Sequence, residues 1–241
     1  MQAMIFSAQS ADALQKVRGR ALIVWHILNL VRAEITDIVL QHDDASDLLE
    51  TTLGTGAQFG ARLRYCGPPP GLDAAIGVAI DHAFNHAHQA RELLGAAPFI
   101  GVSGNIYCPH FPFASLFDAL EESDLWGNPY PVDERDIAWI SLVKNPPHRP
   151  AGDFALTSFS VSNEGLPRHS FAGIGIYRPE ILAAVPAGQT IDLLALLGEF
   201  AQRAQVGGDV YRGDWVKVDN AAQCALLNAP FSPPALPGQS A

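Results

Sequence analysis

Three observations predict an α/β fold built on a mixed, mainly parallel central sheet. Short apolar runs of strand length alternate with amphipathic stretches through the first half of the chain. Those runs are apolar nearly throughout, as strands covered on both faces must be. Hydrophobic residues make up 48% of the 241 residues, ample for a buried core. In the second half strands follow one another with little helix between them, so antiparallel strands are expected to join the parallel body.

In order, "AMIFSA" reads as the first strand and "LIVWHILNLVRA" as a helix, with Trp25 and His26 expected to pack it on the sheet. "TDIVLQ" is a strand, "DLLETTL" a helix and "RLRYCG" a strand; a long segment from Leu72 to Leu94 then leads to the strand "PFIGVS". "DIAWISLV", "GDFALTSFSVS" and "FAGIGIYR" read as further strands, and a helical period runs from Thr190 to Val206. "DVYRGDWVKV" has the look of a hairpin, and a short helix follows. The final "APFSPPALPGQSA" is too rich in proline and small residues to build a core and reads as a disordered tail. The expectation is one domain over residues 1–228 and a tail over 229–241.

Composition excludes several function classes. Fifteen Lys and Arg stand against 25 Asp and Glu, a formal charge of −10, so no broad basic surface exists to neutralise a phosphate backbone or an anionic membrane. No apolar run approaches membrane-spanning length, and "MQAMIFSAQSADALQK" turns polar too early for a signal peptide. Cys66, Cys108 and Cys224 are far apart and odd in number, which argues against a disulfide framework and fits a reducing cytoplasm.

Several residues are candidates for chemistry. "IGVSGNIY" is a buried-strand pattern ending at Ser103-Gly104-Asn105, the kind of corner that presents a functional side chain at a sheet's carboxyl edge. His82 and His86 in "DHAFNHAHQ" have the i,i+4 spacing that can share a metal, against the alternative of a polar, solvated helix face. Cys108 and His110 in "YCPH" offer either two soft zinc ligands or a thiol with a base, with no supporting third group in sequence.

Taken together, "VRGRALIVWHI" (Val17 to Ile27), "LGTGAQFGARLRY" (Leu53 to Tyr65), "APFIGVSGNIY" (Ala97 to Tyr107), "NPPHRPAGDFAL" (Asn145 to Leu156), "FAGIGIYRPEI" (Phe171 to Ile181) and "YRGDWVKV" (Tyr211 to Val218) resemble the sugar-1-phosphate nucleotidyltransferases, most closely the bacterial N-acetylmuramate-1-phosphate uridylyltransferase group. The resemblance runs from Met1 to about Asn228. It implies a Rossmann-like, GT-A-like three-layer α/β/α sandwich. It also implies a reaction in which a sugar 1-phosphate attacks the α-phosphate of UTP and releases pyrophosphate. Mg²⁺ held by two aspartates would bridge phosphate oxygens, and a glycine-rich loop with an Arg and a Lys would spread the triphosphate charge.

Set against that family pattern, the chain departs at four places. Asn105 stands at the first metal aspartate and Lys217 at the second. The connection between "IFSAQ" and "VRGRALI" is about ten residues too short for the usual phosphate loop. The nucleotide-contacting word reads Leu72-Asp73-Ala74-Ala75-Ile76-Gly77, with Ile76 for a glycine. Lys217 is expected either to set its ammonium where the metal would lie or to extend into solvent. Asp219, two residues on, could supply a compensating charge. The resemblance implies substrate contacts from Ala8, Gln9, Asp73, Gly77, Gly104, Asn105, Asp153 and Gly173, no intact catalytic residue and no resident metal. The expected protein is a degenerate nucleotidyltransferase that binds a sugar phosphate or uridine nucleotide, or serves as a partner in a homo- or hetero-oligomer. The competing expectation is a working uridylyltransferase using Mg²⁺ with an altered phosphate site.

Overall fold

Alternation along the strands decides the layering. Ala3 and Ile5 face one side of the sheet and Met4 and Phe6 the other; Ile38 and Leu40 part from Val39 in the same way, and all seven are buried. Each face therefore needs its own helical cover, and a three-layer α/β/α sandwich follows. The computed structural model describes residues 1–7, 10–42, 48–67, 83–84, 87–116, 136–147, 149–185 and 191–229.

The strands are β1 (Gln2–Ser7), β2 (Lys16–Val17), β3 (Arg20–Ala21), β4 (Asp37–His42), β5 (Arg62–Cys66), β6 (Ala83–Phe84), β7 (Phe99–Ser103) and β8 (Ile106–Tyr107). Then come β9 (Ala138–Val143), β10 (Phe154–Thr157), β11 (Ser160–Ser162), β12 (Arg168–Tyr177), β13 (Ile191–Asp192), β14 (Val206–Val210) and β15 (Val216–Lys217). Among the described residues the central sheet has nine strands in the order β10-β11-β14-β9-β12-β7-β1-β4-β5. Strands β1, β4, β5 and β7 are mutually parallel, and β12 enters antiparallel between β7 and β9. The sheet is mixed, as predicted.

Helices α1 (Ser10–Ala13), α2 (Leu22–Arg32) and α3 (Leu48–Leu53) cover one face. Ile23, Ile27 and Leu30 of α2 are fully buried against it, each contributing about 1.5–3 kcal/mol of hydrophobic stabilisation. Helix α4 (Ala87–Leu94) and the helices Glu180–Ala183 and Leu193–Gln202 cover the other face. The helix Leu193–Gln202 is shorter than the predicted helical period. Asp192 caps its start by accepting from Leu194 N at 2.9 Å, and Val206 already belongs to β14. A final helix spans Ala221–Asn228.

Two expectations are corrected. "DVYRGDWVKV" is not a hairpin: β14 runs parallel beside β9, whereas β15 pairs with β8. Gly207 and Gly208, just before the segment, lie against the Trp139 ring and the Ile140 carbonyl, where a Cβ would collide, so β14, which ends in the segment's first two residues, is drawn into the sheet interior. Trp25 does not pack on the sheet with His26. Its Nε1 donates to Val17 O at 2.9 Å, the Arg20 guanidinium lies over its ring at 4.8 Å, and Tyr107 meets it edge-on. Neighbours on a helix point about 100° apart, so His26 takes the buried side alone.

The tail from residue 230 onward lies outside the described residues, as do the positions expected in the Leu72 to His86 stretch apart from β6. Among the described residues no helix is long and apolar enough to cross a membrane.

Candidate functional site

The run Ile100-Gly101-Val102-Ser103 is held in the sheet interior because Gly101 makes room on one face for the rings of Phe6 and Tyr177; a Cβ there would sit 2.7 and 2.6 Å from them. At its carboxyl end Gly104 N donates to Phe6 O at 2.6 Å, which ties the turn to β1. β8 then pairs antiparallel with β15, placing Lys217 opposite Ile106, and Val218 N donates to Asn105 O at 2.7 Å. Backbone hydrogen bonds thus fasten Asn105 to the β15 segment that carries Lys217.

A second set of bonds holds this corner from behind. His26 on α2 is buried, and its Nε2 lies 2.8 Å from Ile106 O, the residue after Asn105. One turn further, Asn29 Nδ2 donates to Phe111 O at 3.0 Å. Since a carbonyl can only accept, the His26 tautomer carries its proton on Nε2. Burial pushes the His26 pKa down to about 4, so the ring is neutral at pH 7.

At the corner itself, Lys217 Nζ lies 3.3 Å from Asp219 Oδ1, with the lysine side chain only 11% exposed. The Lys217 backbone is held in the β8 ladder, and its largely covered side chain meets the carboxylate of the exposed Asp219 instead of extending freely into solvent. Asn105 Nδ2 reaches the same Asp219 oxygen at 3.4 Å, while its Oδ1 is buried without a hydrogen-bond donor. Mg²⁺ favours octahedral oxygen, usually with one or two carboxylates. Among the described residues this donor set offers one carboxylate, paired with an ammonium and faced by an amide N–H, a poor fit to Mg²⁺. Among the described residues no group of three or more His, Cys, Asp or Glu could hold a metal.

Beyond β1 the chain is described from Ser10 onward. Residues Ser10–Ala13 wind into one turn of helix whose Ala13 is buried in the hydrophobic layer, with Leu14 packed against it. Leu22 N donates to Gln15 O at 2.9 Å, closing the β2–β3 hairpin at Arg18 and Gly19, both at positive φ. Asn228 fastens this hairpin to the last helix, donating through Nδ2 to Lys16 O at 2.7 Å and accepting from Arg18 N at 2.6 Å. Among the described residues of the connection, apolar packing at Ala13 and Leu14 and the β2–β3 hairpin use the chain from Ala13 to Ala21.

Beside β7, β12 bulges between Phe171 and Ile174, with Gly173 at φ 77°, and Trp215 Nε1 donates to Ala172 O at 2.8 Å. Asp153 is engaged by the chain itself: Oδ2 accepts from Phe171 N at 2.8 Å, and Oδ1 pairs with Arg149 Nε at 3.3 Å. Asn145 donates to Pro150 O and Arg168 O and accepts from Ser170 Oγ, bracing the same wall.

The structure thus brings together Gly104, Asn105 and Lys217, with Gly173 at the same sheet edge. Ala8, Gln9, Asp73, Gly77, His82 and His86 lie outside the described residues. Cys108 is buried and hydrogen-bonded to Tyr211, and burial pushes its thiol pKa up to about 12, whereas His110 is exposed. A protonated, enclosed thiol is neither a ready zinc ligand nor a ready nucleophile. Sequence reading did not assign Trp215 or Asn29 and gave His26 only a packing role. A buried His and Asn at i and i+3 on an apolar helix was the available signal, since buried polar groups require partners.

No family model matches the chain. It is 31% identical over 244 residues to the N-acetylmuramate alpha-1-phosphate uridylyltransferase of Neisseria meningitidis serogroup B, covering 95% of this chain and 96% of that protein. A solved structure from Bacillus anthracis, assigned as a glucose-1-phosphate thymidylyltransferase and crystallised with sucrose, superposes with a TM-score of 0.68. That match covers 97% of this chain and 98% of the other at 15% identity, and it supports the fold alone.

Proposed function

Because the chain belongs to the N-acetylmuramate α-1-phosphate uridylyltransferase family, we propose that it keeps the family's sugar-phosphate site as a binding site without transferring a uridylyl group. Lys217 paired to Asp219 beside Asn105 carries this reading. Uridylyl transfer needs positive charge that can move onto phosphate oxygens as pyrophosphate departs, commonly from a metal held by carboxylates. Here the ammonium already serves one carboxylate, and the other position is an amide.

The protein's role is then to bind a sugar phosphate or uridine nucleotide, or to act as a partner or regulatory subunit, paired with its own copy or with a different chain. A working enzyme with an altered phosphate site is the second reading, favoured by the Asp219 carboxylate within 3.4 Å of Asn105.

Pyrophosphate release with UTP, N-acetylmuramate α-1-phosphate and Mg²⁺ separates them. Each lost transition-state contact costs on the order of 10²–10³ in rate, so no release above background is expected. Robust turnover refutes the binding-only reading.

A further inference from the structure

We propose that the groove between α4 and the helix Glu180–Ala183 is the contact through which two copies of this chain associate about a two-fold axis, Arg91 of each copy meeting Glu180 of the other. The inference rests on the self-pairing half of the reading above and on no residue of the Asn105 corner.

The groove is open to solvent and has a volume of about 600 Å³. One side is the last turn of α4 with Gly95 and Ala96, which lead into β7; the other is Pro179 and the helix Glu180–Ala183, which follow β12. Phe99 and Tyr177 pair where those two strands meet this end of the sheet, so the groove and the Asn105 corner lie at opposite ends of β7. Leu182 and Val185 are buried and give the groove an apolar floor. Its rim is short: Gly95, Ala96 and Ala183 are exposed, and a Cβ built on Gly95 would meet nothing within 4 Å. Such small residues have little rotamer freedom to lose, so a second surface can come close at low entropic cost.

Charge selects the occupant. Arg91 on one side and Glu180 on the other are exposed, and among the described residues neither side chain makes an ion pair. Glu92, beside Arg91, is engaged elsewhere in the chain. An occupant that satisfies both groups brings a carboxylate for the guanidinium, a cation for the carboxylate and apolar atoms for the floor. The same patch of a second copy carries that whole set, because across a two-fold axis residue i meets j and j meets i. Two equal ion pairs then form together, each with a guanidinium able to give a bidentate bond. The carboxyl edge of both sheets stays open, since the contact lies at the other end of β7.

Sedimentation velocity of the full chain at rising concentration tests this. A monomer–dimer equilibrium is expected. Arg91→Glu and Glu180→Arg should each weaken it at least about tenfold, because by symmetry a single reversal sets two like-charged pairs across the contact. Mixing the two variants should restore a dimer, and so should both reversals in one chain, since every pair is then opposite again. Circular dichroism and thermal melts of each variant report folding; if one single variant is unstable, the chain with both reversals still carries the test. A chain that stays monomeric or assembles beyond a dimer, folded single reversals that pair like the native protein, or folded charge-swapped chains that fail to recombine overturns the inference. The thermal shift given by sugar phosphates should be the same in the single variants as in the native chain. Its absence from the native chain refutes the sugar-phosphate reading separately and leaves the dimer untouched.

Discussion

Replacing His26 by glutamine should flatten the acid side of the protein's stability curve. His26 is 1% exposed, its Nε2 donates to Ile106 O at 2.8 Å, and burial holds its pKa near about 4 against an ordinary 6.5. The folded value is the lower one, so the unfolded chain takes up a proton first as pH falls. Stability is fully present above about pH 6.5 and drains away as pH drops toward about 4. At about 1.4 kcal/mol per pH unit, the interval between 6.5 and about 4 amounts to about 3 kcal/mol, of which about 2 kcal/mol is lost by pH 5. Glutamine keeps an N–H donor for Ile106 O and removes the titration. Urea unfolding at pH 7, 6 and 5 should show the native protein losing about 2 kcal/mol relative to the variant. Asp37, held low by Arg62, and Asp209, raised by burial, are present in both proteins and cancel. Parallel pH curves for the two proteins would refute the claim that a neutral buried imidazole holds the Asn105 corner.

Three further outcomes follow. Asn105→Asp together with Lys217→Asp should not restore pyrophosphate release, because the α1 turn still occupies the phosphate-loop connection; an active double variant would show that the shortened loop was misjudged. Gly101→Ala should destabilise by about 1–3 kcal/mol in urea melts, since its methyl would press on the rings of Tyr177 and Phe6 at 2.6 and 2.7 Å, and an unchanged melt would contradict that packing. Trp215→Phe removes the donor to Ala172 O, and it should cost about 1 kcal/mol and reduce the thermal shift given by sugar phosphates.

What the sequence disclosed follows from the range of each interaction. Strands such as β1, β4 and β7 were legible because burial on both faces writes a continuous apolar run into the chain. The α2 pattern was legible for the same local reason. The true partners of "DVYRGDWVKV" were not, because strand pairing depends on distant β9 and β8, and a local alternation of residues looks alike in a hairpin and in two separate ladders. Asn105 and Lys217 stood out by position, yet the ion pair between Lys217 and Asp219 required knowing that β15 holds the lysine stem against β8. His26 and Asn29 were visible as polar residues in an apolar helix, but the carbonyls they serve lie 80 and 82 residues away. The bracing of Asp153 by Phe171 N and Arg149 was equally invisible, since the sequence word is the same whether its carboxylate serves a ligand or the wall.

The central claim is that an internal ammonium stands where the family places a metal. Crystals of the full chain soaked with MnCl₂ and UTP, measured at the manganese absorption edge, test it most directly. The account predicts no anomalous peak among Asn105, Lys217 and Asp219, with Lys217 Nζ remaining against Asp219. A peak within about 2.0–2.3 Å of the Asn105 or Asp219 side-chain oxygens, the coordination range of small hard divalent cations, with Lys217 displaced, would contradict it.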